Sequence, residues 1–152
     1  MEIDFLTNYV QVQQMRFDKI KVFWNISDTI NLFKTTIPPL IIQPYIENVF
    51  EHAFDDSMEE QHLTISFKSN ANKLICEVAD NGMGIEEGST SKYHISKGLK
   101  ITKARFDLMN EDLKSNEFQI DFFNLKEVSD RKGTLIRIFF PLYNLDSSST
   151  SE

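Results

Sequence analysis

The chain has 152 residues, a formal net charge of -7 and 41% hydrophobic residues, which suits one domain with a substantial core. This acidic balance, without a basic stripe, argues against nonspecific binding to nucleic acid. The single Cys76 rules out an internal disulfide framework and fits a reducing compartment. No apolar run approaches the ~18 residues of a membrane-spanning helix, and the N-terminus lacks the pattern of a signal peptide.

The first part of the chain predicts a helix, a strand and a second helix. Residues 3, 6, 10, 13 and 17 recur at spacings of three and four and are mostly apolar, which predicts an N-terminal helix. Its seam is close to a heptad, but about two repeats favour a helix packed on its own domain over a coiled coil that continues upstream. Residues 21–27, KVFWNIS, predict a strand. The two prolines of TTIPPL then precede a helix predicted from Leu40 to Phe54.

The rest of the chain predicts further strands, a long loop and a third helix. The segments LTISFKS and KLICEVAD predict the two strands of a hairpin. Residues 81–97 predict a polar and mobile loop, of the length that compact domains use for lids and binding loops. The helical pattern resumes near Gly98 and reaches Leu113, and the strands EFQIDFF and GTLIRIFFPL follow. This order predicts an α+β fold with helices packed on one face of a mixed sheet.

We expect three parts along the chain. Residues 1–21 form a helix that leads into the domain, and residues 22–142 form the domain itself. The polar, Ser-rich residues 143–152 form a disordered tail. Because the chain begins inside an amphipathic pattern, we expect it to be a fragment of a longer protein.

The helix predicted over residues 40–54 has an unusually acidic face. Glu47, Asn48, Glu51, His52 and Asp55 lie opposite its apolar arc, and no cation lies among them. Like charges at this spacing repel each other unless a cation neutralises them. Mg²⁺ with a nucleotide is one such cation, because it takes hard oxygen ligands such as an Asn carbonyl and keeps water and phosphate oxygens in its shell. The alternative interpretation is a plain solvated acidic face.

A glycine-rich turn follows the strand that ends at Asp80. A carboxylate at a strand end can accept a hydrogen bond from an exocyclic amine such as adenine N6, while Gly82 and Gly84 permit positive φ and close backbone approach. Turns and calcium loops use the same Asp-x-Gly-x-Gly pattern. Further on, Gly98 opens the predicted third helix, whose free N–H groups would suit a phosphate. The pair Gly133-Thr134 opens a late strand.

Taken together, these motifs resemble a known ATP-binding domain. Glu47-Asn48, Asp80-x-Gly82-x-Gly84, Gly98-Leu99 and Gly133-Thr134 match, in order and spacing, the GHKL or Bergerat-type domain of histidine kinases, MutL and type II topoisomerases. More closely, residues 2–142 resemble the LytS-type sensor histidine kinases. IPPLIIQPYIENVFEHAF is similar to that family's N box, NYVQVQQMRF to the helix before it, and GLKITKARFDLMN to the helix after its lid.

The resemblance implies a two-layer α/β sandwich that binds ATP and Mg²⁺ between the helices and a flexible lid. It implies Asn48 as a Mg²⁺ ligand and Glu47 as a candidate catalytic base. Asp80 would hold the adenine amine, and Thr134 would contact the adenine through a water molecule. The other nucleotide-binding residues that it implies are His52, Gly82, Gly84, Ile85, Gly98 and Leu99.

The resemblance also implies the role of the whole protein. It would be a protein-histidine kinase of a two-component system, which transfers phosphate from ATP to a histidine outside this chain and then to a response regulator. The whole protein would form a homodimer and be anchored in a bacterial membrane, with this chain as a cytoplasmic domain without membrane or nucleic-acid contact. Two alternatives stay open, namely a degenerate, non-catalytic nucleotide-sensing or interaction module and a serine kinase of the same fold, as among anti-sigma factors.

Three residues depart from the family pattern. Glu51 stands where the family often has a basic residue, Ser96 stands where it usually has a glycine, and Ile101 stands where it commonly has Asn. A basic cluster, however, surrounds the predicted helix start, where exposed cations oppose the helix dipole. A bound triphosphate would resolve that conflict, so we predict that Lys97 and Lys100 lie near the phosphates, although lysines are often only solvated surface. The cluster consists of Lys92, Lys97, Lys100 and Lys103.

Overall fold

The computed structural model describes residues 2–31, 35–86 and 90–142, which fold into one mixed sheet covered on one face by helices. The helices are α1 (Glu2–Arg16), α2 (Gln43–Asn48), α3 (Thr90–Asp112) and α4 (Leu125–Val128). The strands are β1 (Ile20–Ile26), β2 (Gln61–Asn70), β3 (Lys73–Asp80), β4 (Gln119–Asn124) and β5 (Thr134–Pro141). A π-helical turn, Val49–Ala53, continues α2 without a break.

The sheet has five strands in the order β1-β2-β3-β5-β4. Strand β1 runs parallel to β2, and the other three neighbouring pairs are antiparallel. The β2–β3 pair is the predicted hairpin, closed at Asn70 and Lys73 around a turn in which Ala71 has a φ of 52°. The predicted α+β architecture with a mixed sheet is therefore confirmed.

One face of the sheet forms the hydrophobic core. Alternate residues of β2, Leu63, Ile65 and Phe67, are at most 1% exposed, because successive side chains of a strand point to opposite faces. Their partners across the sheet, such as Val78, continue the same layer. The other face carries polar side chains of intermediate exposure. The inward face ends at Asp80, so the alternation that builds the core also points this carboxylate towards the helices.

Helix α1 packs into this same core. Ile3, Leu6 and Val10 are at most 4% exposed and belong to the main apolar cluster. Each fully buried side chain of this kind contributes about 1.5–3 kcal/mol to stability. The prediction of a helix that packs on its own domain agrees with these contacts.

The helix predicted from Leu40 to Phe54 has different limits in the structure. It begins at Gln43, after Leu40 adopts a φ of 59°, and its regular α-helical part ends at Asn48. Pro44 lies in its first turn, where a missing N–H group costs little. From Val49 the helix widens into the π-turn, a local form that occurs often at functional sites.

The prediction of a long loop over residues 81–97 is wrong for its second half. Helix α3 begins at Thr90, eight residues before Gly98. Ile95, Thr102 and Phe106 are each at most 9% exposed, and Leu99 packs against the core between them. The helical spacing of buried side chains therefore extends back to Ile95, within a stretch that is otherwise polar. Residues 87–89 of the predicted loop, and the predicted disordered tail, lie outside the described residues.

Within the described part of the chain, no helix has both the length and the apolar character that crossing a membrane requires.

Candidate functional site

A pocket lies between the inward face of the sheet and the helices α2 and α3. It brings together Asn48 from α2 and Asp80 from the end of β3, which the sequence placed 32 positions apart and predicted to face each other. Its floor is apolar and includes Val78 and Ile136 from neighbouring strands. The lining residues are Tyr45, Asn48, Val49, His52, Ala53, Val78, Asp80, Gly84, Ile85, Ile95, Thr134 and Ile136.

Asp80 is a buried carboxylate with two fixed hydrogen-bond donors. The hydroxyl of Thr134 donates to Oδ2, and the backbone N–H of Gly82 donates to Oδ1 over 2.8 Å. Asp80 is only 6% exposed, and this burial raises the pKa of its carboxyl, while the donors from Thr134 and Gly82 act in the opposite direction. The two donors hold the carboxylate in one orientation and leave further lone pairs for a ligand.

Two glycines allow the backbone to close around Asp80. A Cβ atom at Gly82 would lie 2.1 Å from the carbonyl oxygen of Ala53, at the end of the π-turn. The next residue, Met83, donates its N–H to that same carbonyl over 2.9 Å. At Gly133, where φ is +120°, a Cβ atom would lie 1.9 Å from the carbonyl oxygen of Asp80. Gly82 therefore serves packing of the turn against the helix, and it does not itself line the pocket.

The polar face of α2 divides between the pocket and the surface. Asn48 and His52 line the pocket, whereas Glu47 is exposed. Glu51 accepts a hydrogen bond from the guanidinium of Arg16, the last residue of α1, over 3.2 Å. The cation that this face lacks in the sequence is thus supplied by another helix. Burial, together with the carboxylates of Glu47 and Glu51, raises the pKa of nearby Tyr9 to about 12.

The predicted helix start at Gly98 is wrong. Gly98 lies in the interior of α3, where an added Cβ atom would lie 3.7 Å from the ring of Tyr45. Its N–H group is therefore not the free helix-terminal donor that a phosphate site needs. Of the basic cluster, Lys92 lies in the first turn of α3, whereas Lys97, Lys100 and Lys103 lie further along the helix and are exposed.

The predicted site residues fall into two groups. Six line the pocket, namely Asn48, His52, Asp80, Gly84, Ile85 and Thr134. The other six, all within the described residues, do not line it, namely Glu47, Gly82, Lys97, Gly98, Leu99 and Lys100.

The first turns of α3 cover the pocket. Ile95 is 9% exposed and forms part of the pocket wall, and the imidazole of His94 stacks on that of His52, with ring centroids 4.8 Å apart. The room left inside is about 20 Å³, enough for about one water molecule. A lid was predicted over residues 81–97, but as a loop; its helical second half was not predicted, because Ile95 is an isolated apolar residue between polar ones.

The donor set around Asn48 suits a metal ion that is brought in by a ligand. Within the described residues, no group of three or more His, Cys, Asp or Glu side chains could hold a metal ion by itself. Mg²⁺ takes few protein ligands and completes its shell with phosphate and water oxygens, so a single amide oxygen at the pocket wall fits this ion.

Comparisons with known proteins agree with this geometry. The chain is 29% identical over 148 residues to the sensor protein LytS of Bacillus subtilis, an alignment that spans 83% of this chain and 25% of that protein. It shares its fold with the catalytic domain of the histidine kinase ThkA, with a TM-score of 0.58, 15% identity, and coverage of 93% of this chain and 94% of that domain. The histidine kinase domain of a blue-light activated kinase from Erythrobacter litoralis gives a TM-score of 0.56 at 18% identity, covering 91% of this chain and 60% of that chain.

The fold is that of the catalytic domains of histidine kinases. The sequence likeness to LytS proteins, which includes 31% identity over 129 residues to the LytS of Streptococcus agalactiae (84% of this chain and 22% of that protein), supports a LytS-type ATP-binding domain and confirms the resemblance seen in the sequence. No family model matches the chain. The chain spans about a quarter of the length of the Bacillus subtilis LytS protein.

Proposed function

We propose that this chain binds Mg-ATP in the pocket between α2, α3 and the sheet. The observation that supports the proposal is that Asp80 and Asn48 open onto the same pocket. A buried carboxylate at one end suits a purine amine, and an amide oxygen at the other suits a phosphate-bound metal ion. The apolar floor between them, which includes Val78 and Ile136, suits the faces of a base.

The adenine end is preorganised by the fold. The carboxylate of Asp80 is already oriented by Thr134 and Gly82, so it can accept a hydrogen bond from the adenine amine without losing side-chain freedom. A base that lacks this donor would cover the carboxylate without adding a hydrogen bond to those from Thr134 and Gly82, which is unfavourable. We therefore assign base recognition to Asp80, with Thr134 as the residue that orients it.

The phosphate end is assigned to the polar face of α2. Asn48 would hold Mg²⁺, which when bound would neutralise charge on the phosphates. Glu47 is exposed and directly precedes Asn48 in α2, so it could orient a phosphate acceptor that comes from outside the chain. Lys97 and Lys100 would reach the phosphates only after α3 moves, because both are exposed in the present arrangement.

Nucleotide entry requires a change at the start of α3. The space for about one water molecule inside the pocket cannot hold a purine. Ile95 and the stacked pair of His52 and His94 are the contacts that must separate. We propose that these turns form the lid over the bound nucleotide and that the ligand-free domain keeps them closed.

The activity of the whole protein is proposed from the likeness to sensor histidine kinases. We propose that it is a membrane-anchored, homodimeric protein-histidine kinase of a two-component system. This chain would position ATP for transfer of the γ-phosphoryl group to a histidine outside these residues, and a response regulator would then accept the phosphate. Since phosphoryl transfer depends mainly on positioning and charge neutralisation, the chain alone should bind nucleotide without turnover.

Calorimetric titration with ADP and ATP, with and without Mg²⁺, tests the proposal. We expect saturable binding that Asp80→Ala weakens by at least about ten-fold, the loss of one charge-assisted hydrogen bond. Glu77→Ala is the matched control, because Glu77 is a carboxylate on the same strand that pairs with Lys68 and Arg137 on the other face. Absence of binding at millimolar nucleotide would instead favour a non-catalytic module, and phosphoserine on a partner would favour the anti-sigma type of kinase.

A further inference from the structure

We infer that Asn124 is a positioning residue for the nucleotide base, because it fixes the Gly84–Ile85 backbone that forms one wall of the pocket. The inference rests on the proposed function, in that the base is taken to lie beside Asp80. Asn124 itself does not line the pocket. It acts through the segment that follows Asp80, at the last residue of edge strand β4.

The side chain of Asn124 joins the edge strand to that segment. Its Nδ2 donates a hydrogen bond to the carbonyl oxygen of Ile85 over 2.9 Å. Asn124 is 8% exposed and is the register partner of Thr134, which orients Asp80. Asp80 on β3 and Ile85 in the following segment both line the part of the pocket proposed for the base. They are held by Thr134 and Asn124, which are register partners in the β4–β5 pair.

The side chain of Asn124 does not cap helix α4, although Asn124 is the residue that precedes it. It occupies the residue before α4, where an Asn side chain usually accepts a hydrogen bond from the first turn, yet it forms no such cap. Its Oδ1 atom is buried and has no hydrogen-bond partner among the described residues. A buried polar atom without a partner is costly and calls for an explanation. Holding the Ile85 carbonyl is the role that this arrangement serves.

The second glycine of the Asp-x-Gly-x-Gly motif makes room for Asn124. Gly84 has a φ of +78°, and an added Cβ atom would lie 3.0 Å from Oδ1 of Asn124. The glycine thus permits both the left-handed backbone and the close approach of the amide. Gly84 belongs to the segment that lines the pocket, and Asn124 holds this segment through its hydrogen bond to Ile85.

Titration with Mg-ADP of purified wild type, Asn124→Ala and Asn110→Ala tests the inference. Asn110 is the matched control, since its amide also bridges to backbone, at Phe118, but lies away from the pocket. We expect Asn124→Ala to weaken ADP binding by about ten-fold, as for one lost hydrogen bond to a partly buried carbonyl, and Asn110→Ala to lower the melting temperature without changing ADP affinity. Asn124→Ser, whose side chain is too short to reach Ile85, replaces Asn124→Ala if the latter fails to fold.

A double-mutant cycle with Gly84→Ala supplies a readout that general instability would not move. The strain of Ala at positive φ is common to both backgrounds and cancels, so only the contact with Asn124 remains. We expect Gly84→Ala to weaken ADP binding less in the Asn124→Ala background than in the wild type. Unchanged ADP affinity in Asn124→Ala, equal losses in Asn110→Ala, or strict additivity in the cycle would each overturn the inference. If the wild type itself binds no ADP, the proposed function fails first and the inference fails with it.

Discussion

The hydroxyl of Thr134 and the carboxylate of Asp80 meet across the β3–β5 pair, where the sheet faces the helices. This contact fixes a buried acidic group at the deep end of the pocket. Burial raises the pKa of Asp80, so its ionised form is held at some cost to the fold. Unfolding measurements report the stability cost of the ionised carboxylate, and nucleotide titration reports its proposed role in base recognition.

Asp80→Asn should leave the domain as stable as the wild type, or more stable, at neutral pH. The pKa of Asp80 is higher in the folded than in the unfolded state, so the folded state binds more protons between the two pKa values. The contribution of Asp80 to the free energy of unfolding therefore falls as pH rises from about 3.9, the ordinary value for Asp, through the raised folded pKa. Denaturant unfolding at several pH values, compared between the two proteins, measures this. A wild type that gains stability relative to Asp80→Asn with rising pH would contradict the prediction.

Gly98→Ala should stabilise the ligand-free domain by about 0.5–1 kcal/mol. The reason is that Gly98 lies inside α3, where Ala is the better helix former and its Cβ atom has room beside Tyr45. Urea unfolding of both proteins measures the difference. A loss of stability would indicate that Gly98 does not lie in a helix interior.

Gly133→Ala should destabilise the domain by at least about 2 kcal/mol, since a Cβ atom at this φ of +120° would overlap the carbonyl of Asp80. The same unfolding measurement applies, and Gly98→Ala serves as its control because the chemical change is identical. Equal effects at the two glycines would mean that the close approach of β5 to Asp80 is not rigid.

The ion pair between Arg16 and Glu51 should contribute less than about 1 kcal/mol, because both side chains are partly exposed, at 66% and 34%. A double-mutant cycle of Arg16→Ala and Glu51→Gln measures the coupling energy. It should shrink in high salt, which screens exposed charges. A coupling that is large and independent of salt would show that this pair is shielded from solvent.

The double variant Lys97→Ala and Lys100→Ala should weaken Mg-ATP binding several-fold, because two cations near a triphosphate are lost. Lys103→Ala is the control, as it removes an exposed lysine further along the same helix. Calorimetry with Mg-ATP measures the difference. Unchanged affinity in the double variant would leave these lysines as solvated surface only.

Local patterns were sufficient to predict the strands of the sheet, whereas the shared pocket of Asp80 and Asn48 was implied by the family resemblance. Alternation along β3 fixed the face to which Asp80 points, and helical spacing placed Asn48 on the polar side of α2. The start of α3 could not be predicted in the same way, because Ile95 shows its helical role only when packed against the pocket.

Contacts between distant residues were also beyond sequence reasoning. Arg16 and Glu51 are separated by 35 positions, and nothing in either local segment indicates the other. Asn124 lies before a short helix, where its residue type alone predicts an ordinary cap. Its contact with Ile85 depends on how the edge strand lies against the turn after β3.

Helix α3 is pinned near its middle by the buried hydrogen bond between the hydroxyls of Tyr45 and Thr102, 2.6 Å long. Beyond that point, Phe106 packs against Phe118 and Phe140 and anchors the second half of the helix to the sheet. An incoming nucleotide therefore cannot swing the helix aside as a rigid rod. It must unwind the turns of α3 before Thr102. The free energy of unfolding these turns therefore lowers the affinity for nucleotide, and this cost grows with the number of residues that unfold.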